Sequence, residues 1–150
     1  MTEPAPDRAK RFKELHAALE ETGFDCEVIA AEEEDMSVST IVFPVPPREG
    51  ETERFMSMTV LPDDGALEQA DLIQAWVYQG KSDPALLAHL AYANAEAPVG
   101  HSAVRGEDVH HRHVLPVQVG SVLSGVMVDE WVSLVLFSAD LVMSKVLDAS

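Results

Sequence analysis

Three histidines in the second half of the chain are the side chains whose types and spacing most resemble a metal site. His111 and His113 are two residues apart, so in a β-strand their imidazoles share one face, and His101 precedes them on a neighbouring segment. If a hairpin placed His101 opposite the other two, three ligands could converge. The alternative is that all three are polar side chains on an exposed hairpin face, since no Cys, Asp or Glu occupies a matching position. We favour this alternative and expect neither a metal nor another cofactor.

The nucleophilic side chains do not indicate catalysis. A serine nucleophile needs a base within hydrogen-bonding reach and an oxyanion hole, and Ser102, Ser121 and Ser124 lack the G-x-S-x-G motif that usually accompanies them. Cys26 has no neighbouring cation that would activate it, so we expect a small buried apolar residue there. The sequence therefore predicts a protein that is not an enzyme, with a small metal-dependent protein or enzyme using the histidine hairpin as the alternative.

The amino-acid composition disfavours two classes of binding partner, nucleic acids and anionic membranes. The 150 residues include 26 acidic and 10 basic side chains, for a net charge of -16, which opposes binding to nucleic acid phosphates and to anionic lipid. A single cysteine excludes an intramolecular disulfide, and the first residues lack the apolar core of a signal peptide. We expect a cytoplasmic protein that binds neither nucleic acid nor membrane.

The first half of the chain reads as one helix followed by four strands. Apolar residues from Ala5 to Leu19 recur every three or four positions, and Gly23 ends the pattern. Four segments rich in β-branched, aromatic and Met residues follow, separated by polar or Gly-containing stretches, and they indicate an antiparallel meander. These predicted strands are Cys26–Ala31, Val38–Val45, Arg54–Pro62 and Ile73–Gly80.

The second half predicts a helix, a hairpin and a long helix. Asp83 can cap the second helix and Pro84 suits its first position, and the helix should end by Asn94. The remaining elements are strands at Val99–Val104 and Val109–Val117, then a helix at Ser121–Leu147 that Ser121 could cap. The sequence thus predicts a single α+β domain over residues 1–150, with the order α-β-β-β-β-α-β-β-α.

Several motifs accompany this order of elements. They are a leucine pair, an asparagine, a glycine before the hairpin and two positions in the second hairpin strand: Leu86-Leu87, Asn94, Gly100, Arg112 and Leu115-Pro116. With these motifs, the order of elements resembles the YbjN family and the related type III secretion chaperones. The resemblance implies an antiparallel β-sheet with helices packed on one face. It also implies a non-catalytic homodimer that binds segments of other proteins, as a chaperone or a regulator.

The last helix predicts a homodimer. Between Trp131 and Phe137 the helix has few polar side chains around its circumference. One face of a sheet cannot cover this much apolar surface. Symmetric pairing of this helix with its copy, or of an exposed sheet edge, would bury the remainder. For the helix, we expect Trp131, Leu134 and Val135 to form the interface.

Two adjacent strands predict a binding groove. Their aromatic and Met side chains are of types enriched at recognition surfaces, and thioethers adapt to varied shapes. Because the chain is strongly acidic, basic residues around the partner's apolar anchor should speed association. The alternative is that the methionines belong to the core. The expected groove residues are Phe55, Met56, Met58, Trp76 and Tyr78.

Overall fold

The computed structural model describes residues 8–29, 39–48, 50, 53–61, 70–118 and 120–149. It confirms an α+β fold with the expected order of elements. Three helices and six strands are present in this part of the chain: α1 (Arg8–Glu21), β1 (Glu27–Ile29), β2 (Thr40–Val45), β3 (Arg54–Val60), β4 (Ala70–Lys81), α2 (Pro84–Asn94), β5 (His101–Arg105), β6 (Asp108–Gln118) and α3 (Gly125–Ala149).

All six strands form one antiparallel sheet in the order β1-β2-β3-β4-β6-β5. The first four strands follow one another as the predicted meander, and the β5–β6 hairpin adds to the far side of β4 through β6. The central pair, β4 and β6, is also the longest. This pair therefore places the hairpin histidines beside the aromatic residues of β4.

The core lies between one face of the sheet and the helices. Along β4, buried side chains alternate with half-buried or exposed ones, so Ile73, Ala75 and Val77 face inward. Inward residues of β2 and β3 continue this layer, and α1 and α3 pack on it. A second cluster joins α2 to β6 and to the C-terminal half of α3. The helices thus cover one face, as expected for this order of elements.

The ends of the elements follow local capping chemistry. The Asp83 carboxylate accepts hydrogen bonds from the backbone N–H groups of Ala85 and Leu86, which confirms the predicted start of α2. At α3, the hydroxyl of Ser124 rather than Ser121 accepts from Met127 N–H at 3.2 Å, so the helix begins at Gly125. Ala5, at the start of the first predicted helix, lies outside the described residues.

Three of the expected surface residues are core residues instead. Met56 and Met58 are fully buried in the layer beneath the helices, because Phe55 and Ser57 take the opposite orientation in β3. Val135 is fully buried on the inward side of α3, so its place in the expected dimer interface is wrong.

Trp131, the second of the three expected interface residues, is half-buried and packs against the same core. Leu134, the third, is exposed. The described helices include none with the length and apolar character that crossing a membrane requires.

Candidate functional site

The hairpin register separates the three histidines. His111 pairs with Ser102 and faces the helices with His113, whereas His101 pairs with Arg112 and faces the other side of the sheet. His111 and His113 therefore share a face, as their spacing predicts, but His101 cannot join them. No cluster of three or more His, Cys, Asp or Glu side chains able to hold a metal occurs among the residues described.

His111 is fully buried, and its two partners determine which tautomer its neutral form adopts. Its Nε2 lies 2.8 Å from the Val99 carbonyl oxygen, which can only accept, so Nε2 carries the proton. Its Nδ1 therefore accepts the hydroxyl proton of Ser102 at 2.9 Å. Since Ser102 is also buried, no substrate reaches its oxygen, and the pair closes the hairpin rather than presenting a nucleophile.

Burial favours the uncharged state of the hairpin histidines. It lowers the pKa of His111 below that of a free imidazole; the hydrogen bond to the Val99 carbonyl opposes this shift, and neighbouring His101 and His113 add to it. Burial lowers the pKa of His113 as well. At neutral pH His111 and His113 are therefore uncharged. This is compatible with the apolar cluster around Val109 on the same side of the sheet.

Asn94 and Gly100 complete the same network. The Asn94 side chain donates to the Ser102 carbonyl at 2.9 Å and accepts from the Ser102 N–H at 2.6 Å, so it ties the end of α2 to β5. Gly100 has φ +70°, and a Cβ there would overlap the Arg112 carbonyl oxygen. The spacing from asparagine to glycine therefore has a structural reason, namely the joining of α2 to the hairpin.

The second candidate site is the face of the sheet that the described helices leave uncovered, which we name the open face. Its side chains alternate with the core residues along every long strand, and most are half-buried by their neighbours alone. The open face is formed in its central part by Val42, Pro44, Phe55, Ser57, Leu72, Gln74, Trp76, Tyr78, His101, Ala103, Arg105, His110, Arg112 and Val114.

Trp76 lies at the centre of an aromatic and cationic group on the open face, which we name the Trp76 cluster: Trp76, Tyr78, Arg105, His110 and Arg112. The guanidinium carbons of Arg105 and Arg112 lie 4.6 and 5.4 Å from the indole centroid. The His110 ring packs edge-on against both Trp76, at 5.9 Å, and Tyr78, at 5.5 Å. Burial and the charge of Arg105 lower the pKa of His110, which favours its neutral form.

Of the five predicted groove residues, the structure brings three together. Trp76 and Tyr78 belong to the Trp76 cluster, and the register of β3 against β4 places Phe55 beside Tyr78. Met56 and Met58 lie on the opposite side of the sheet. The expected groove is thus an open, flat patch that extends onto β6, and it is not lined by thioethers.

Sequence reasoning missed the residues that β6 and β5 contribute. His110 and Arg112 alternate with His111 and His113, so the period of two could have assigned them to the other face. Arg105 could not have been assigned, because its contact with Trp76 depends on two strand registers.

Comparison with known proteins does not identify this chain: no family model, curated protein or solved structure matches it. The likeness to the YbjN family and the secretion chaperones therefore stays a prediction from its motifs and element order.

Proposed function

We propose that the chain is a cytoplasmic, non-catalytic protein-binding module, chaperone-like or regulatory, that holds a short segment of a partner protein on the open face. The observation that supports this is the exposure of aromatic side chains on a face that no described helix covers. Phe55 is 45 % exposed and Tyr78 is 38 % exposed, beside the half-buried indole of Trp76. Aromatic residues on a rigid sheet provide large contact area at small entropic cost.

Local charge favours a partner segment that carries a carboxylate next to an apolar anchor. Two of the 10 basic side chains of the chain lie over one indole ring. The acidic residue opposite Arg105 in the hairpin, Asp108, is paired with Lys81 at 3.0 Å, and this pairing raises the pKa of Lys81. The Trp76 cluster is therefore locally cationic although the whole chain is acidic, so we propose an acidic partner segment for this patch. The preference for basic partners that the overall charge predicts stays a prediction.

The test is selection of peptides from a random library displayed on phage, with the purified protein as bait. Selected peptides should combine an aromatic or large aliphatic residue with a nearby Asp or Glu. Their affinity should fall at least about tenfold in Tyr78→Ala and in Arg105→Ser, since anchors of these types dominate binding energy. Affinity should also fall as salt rises, because the carboxylate contact is exposed.

Tyr92→Ala is the matched control, because Tyr92 is an aromatic residue on α2 with 69 % exposure and lies outside the open face. It should leave peptide binding unchanged, and thermal melts should show that all three variants are folded. Peptide binding that is lost in Tyr92→Ala but retained in Tyr78→Ala would show that the peptide binds to the helices instead of the open face. Tight binding of single-stranded oligonucleotides to the open face would overturn the proposed class.

A further inference from the structure

His111 is the centre of a set of hydrogen bonds that joins two helices to the β5–β6 hairpin. The Ser138 hydroxyl on α3 accepts the Val99 N–H at 3.2 Å, and the Val99 carbonyl accepts the His111 Nε2–H at 2.8 Å. The other ring nitrogen of His111 bonds Ser102, which the Asn94 side chain connects to α2. Ser102, His111 and Ser138 are all buried. We name these five residues the His111 network.

A positive charge on His111 would have no compensating partner in this network. The imidazole is fully buried, and a second proton would occupy Nδ1, the atom that accepts the Ser102 hydroxyl. That hydrogen bond would have to reverse or break. A buried cation without an anion is costly because the protein interior solvates it poorly. The cost is avoided if the ring reaches water.

The groups that face His111 from the elements packed against it supply no anion. His113 on β6 and His101 on β5 are the titratable side chains that act on it, and both become cations in acid. Val77 of β4 lies beside it in the strand register, and α2 and α3 contribute the uncharged amide and hydroxyl of the network. Within the described part of the chain, acid therefore adds positive charge around a ring that is already buried.

The part of the fold that covers His111 can move without the main core. Leu90 and Ala93 are the buried residues of α2, and both belong to the second, smaller cluster. The first four strands pack in the larger cluster with α1 and most of the buried residues of α3. Separating α2 and residues 95–100 from the hairpin would therefore expose the His111 ring and leave most of the larger cluster in place.

We propose that proton uptake by His111 separates α2 and residues 95–100 from the β5–β6 hairpin, while the rest of the sheet stays paired. The closed state holds His111 neutral, and the separated state gives its charged form access to water. Acid therefore shifts the population from the closed to the separated state. The device lies on the helix side of the sheet, so it does not depend on peptide binding at the open face.

The direction of the pH dependence follows from the pKa of His111 in each state. Burial lowers this pKa in the closed state, and in the separated state the pKa returns toward the ordinary imidazole value of 6.5. The stabilisation of the closed state is therefore complete above pH 6.5. It is lost as the pH falls below that value toward the lower pKa of the closed state.

The test is hydrogen exchange of the full chain by NMR at pH 7.5 and 5.5. The N–H groups of Ser102 and Val99 report on the contacts with α2 and α3. Their protection factors, corrected for intrinsic exchange rates, should fall about tenfold between the two pH values, because pH 5.5 lies one unit below the pKa of a solvated imidazole. Their exchange should be faster than that of the most protected sheet amides and insensitive to urea below about 1 M, which identifies local opening.

Two variants assign the effect to His111. His111→Gln keeps a donor for the Val99 carbonyl but does not titrate, so the fall in protection should shrink to about twofold or less. His113→Gln, two residues away on the same face of β6, is the matched control and should retain the tenfold fall. Side-chain ¹⁵N NMR of the wild type needs no substitution, and His111 of the closed state should show the neutral Nε2–H tautomer at both pH values.

Four results would overturn the proposal. Protection at Ser102 and Val99 that is equal at the two pH values would exclude the acid response. Exchange of these amides only together with the most protected sheet amides would show global unfolding instead of local separation. An undiminished response in His111→Gln would assign it to another group, and a charged His111 beside a fully protected Ser102 would show that the closed state accepts the proton.

Discussion

At the scale of the residue, Gly100 shows how one backbone position holds the hairpin network together. Its positive φ is open to glycine at no steric cost, and the absence of a Cβ lets the Arg112 carbonyl approach. Gly106, in the β5–β6 turn, also has a positive φ, of +66°, but a Cβ there would meet nothing within 4 Å. Substitutions at the two glycines therefore separate the energetic cost of a left-handed backbone conformation from the cost of steric overlap.

We predict that Gly100→Ala destabilises the protein far more than Gly106→Ala. At Gly106 alanine meets only the left-handed backbone, which costs about 1–2 kcal/mol. At Gly100 alanine has the same backbone cost, and it must also displace β6 and disturb the His111 hydrogen bonds. Urea denaturation of both variants measures the difference, and equal losses would show that the close contact with Arg112 is relieved without cost.

At the scale of the element, Arg11 fixes α1 to the sheet and to the loop before α3. Its Nε donates to the Asp71 carboxylate at 2.7 Å, and both residues are buried. The same guanidinium donates to the Ser121 and Gln118 carbonyl oxygens at 2.8 and 3.2 Å. One side chain thus positions three elements, and the acid that it neutralises has little access to water.

We predict that Arg11→Met lowers the free energy of unfolding by about 3–5 kcal/mol, because it leaves the Asp71 carboxylate buried without its cation. The double variant Arg11→Met/Asp71→Leu should be more stable than Arg11→Met alone, since the uncompensated charge is then removed. Chemical denaturation of the single and double variants gives this coupling.

Lys81→Met is the control for the Arg11 prediction, because the pair that it breaks with Asp108 is solvent-exposed on the lysine side. It should change stability little. A double variant no more stable than Arg11→Met would show that the backbone contacts of Arg11, rather than the ion pair, carry its effect.

At the scale of the whole molecule, the net negative charge of the chain destabilises the compact folded state. With 26 acidic and 10 basic residues, the chain repels itself, and among the residues that the structure describes few carboxylates are buried with a cation as Asp71 is. Most of this repulsion acts between exposed groups, so it depends on ionic strength. It also makes the cationic Trp76 cluster a local exception on an acidic surface.

We predict that the melting temperature rises when sodium chloride is increased from 10 to 200 mM. Screening shortens the Debye length from about 30 Å to less than about 10 Å, which weakens the self-repulsion of the folded chain. Potassium chloride should act equally, because screening depends on ionic strength. A melting temperature that falls over this range would indicate that exposed attractive pairs such as Lys81–Asp108 outweigh the repulsion.

The sequence by itself determined the fold class, the order of the elements and most of their positions. Period-two alternation in β4, the Asp83-Pro84 start of α2 and the helical spacing of the last segment are local patterns, and local sterics and burial suffice to interpret them. The same patterns assigned His111 and His113 to one face. Physical reasoning from spacing succeeds here because each pattern lies within one element.

Only the tertiary structure decided which faces these residues share with residues of other elements. A shift of one residue in strand pairing reverses every side chain, so the sequence could not show that His101 faces away from His111, or that Arg105 lies over Trp76. Burial of Met56, Met58 and Val135 likewise depends on which side the helices cover. The open face carries a cationic patch in place of the expected groove, because this surface is made by packing between elements distant in the chain.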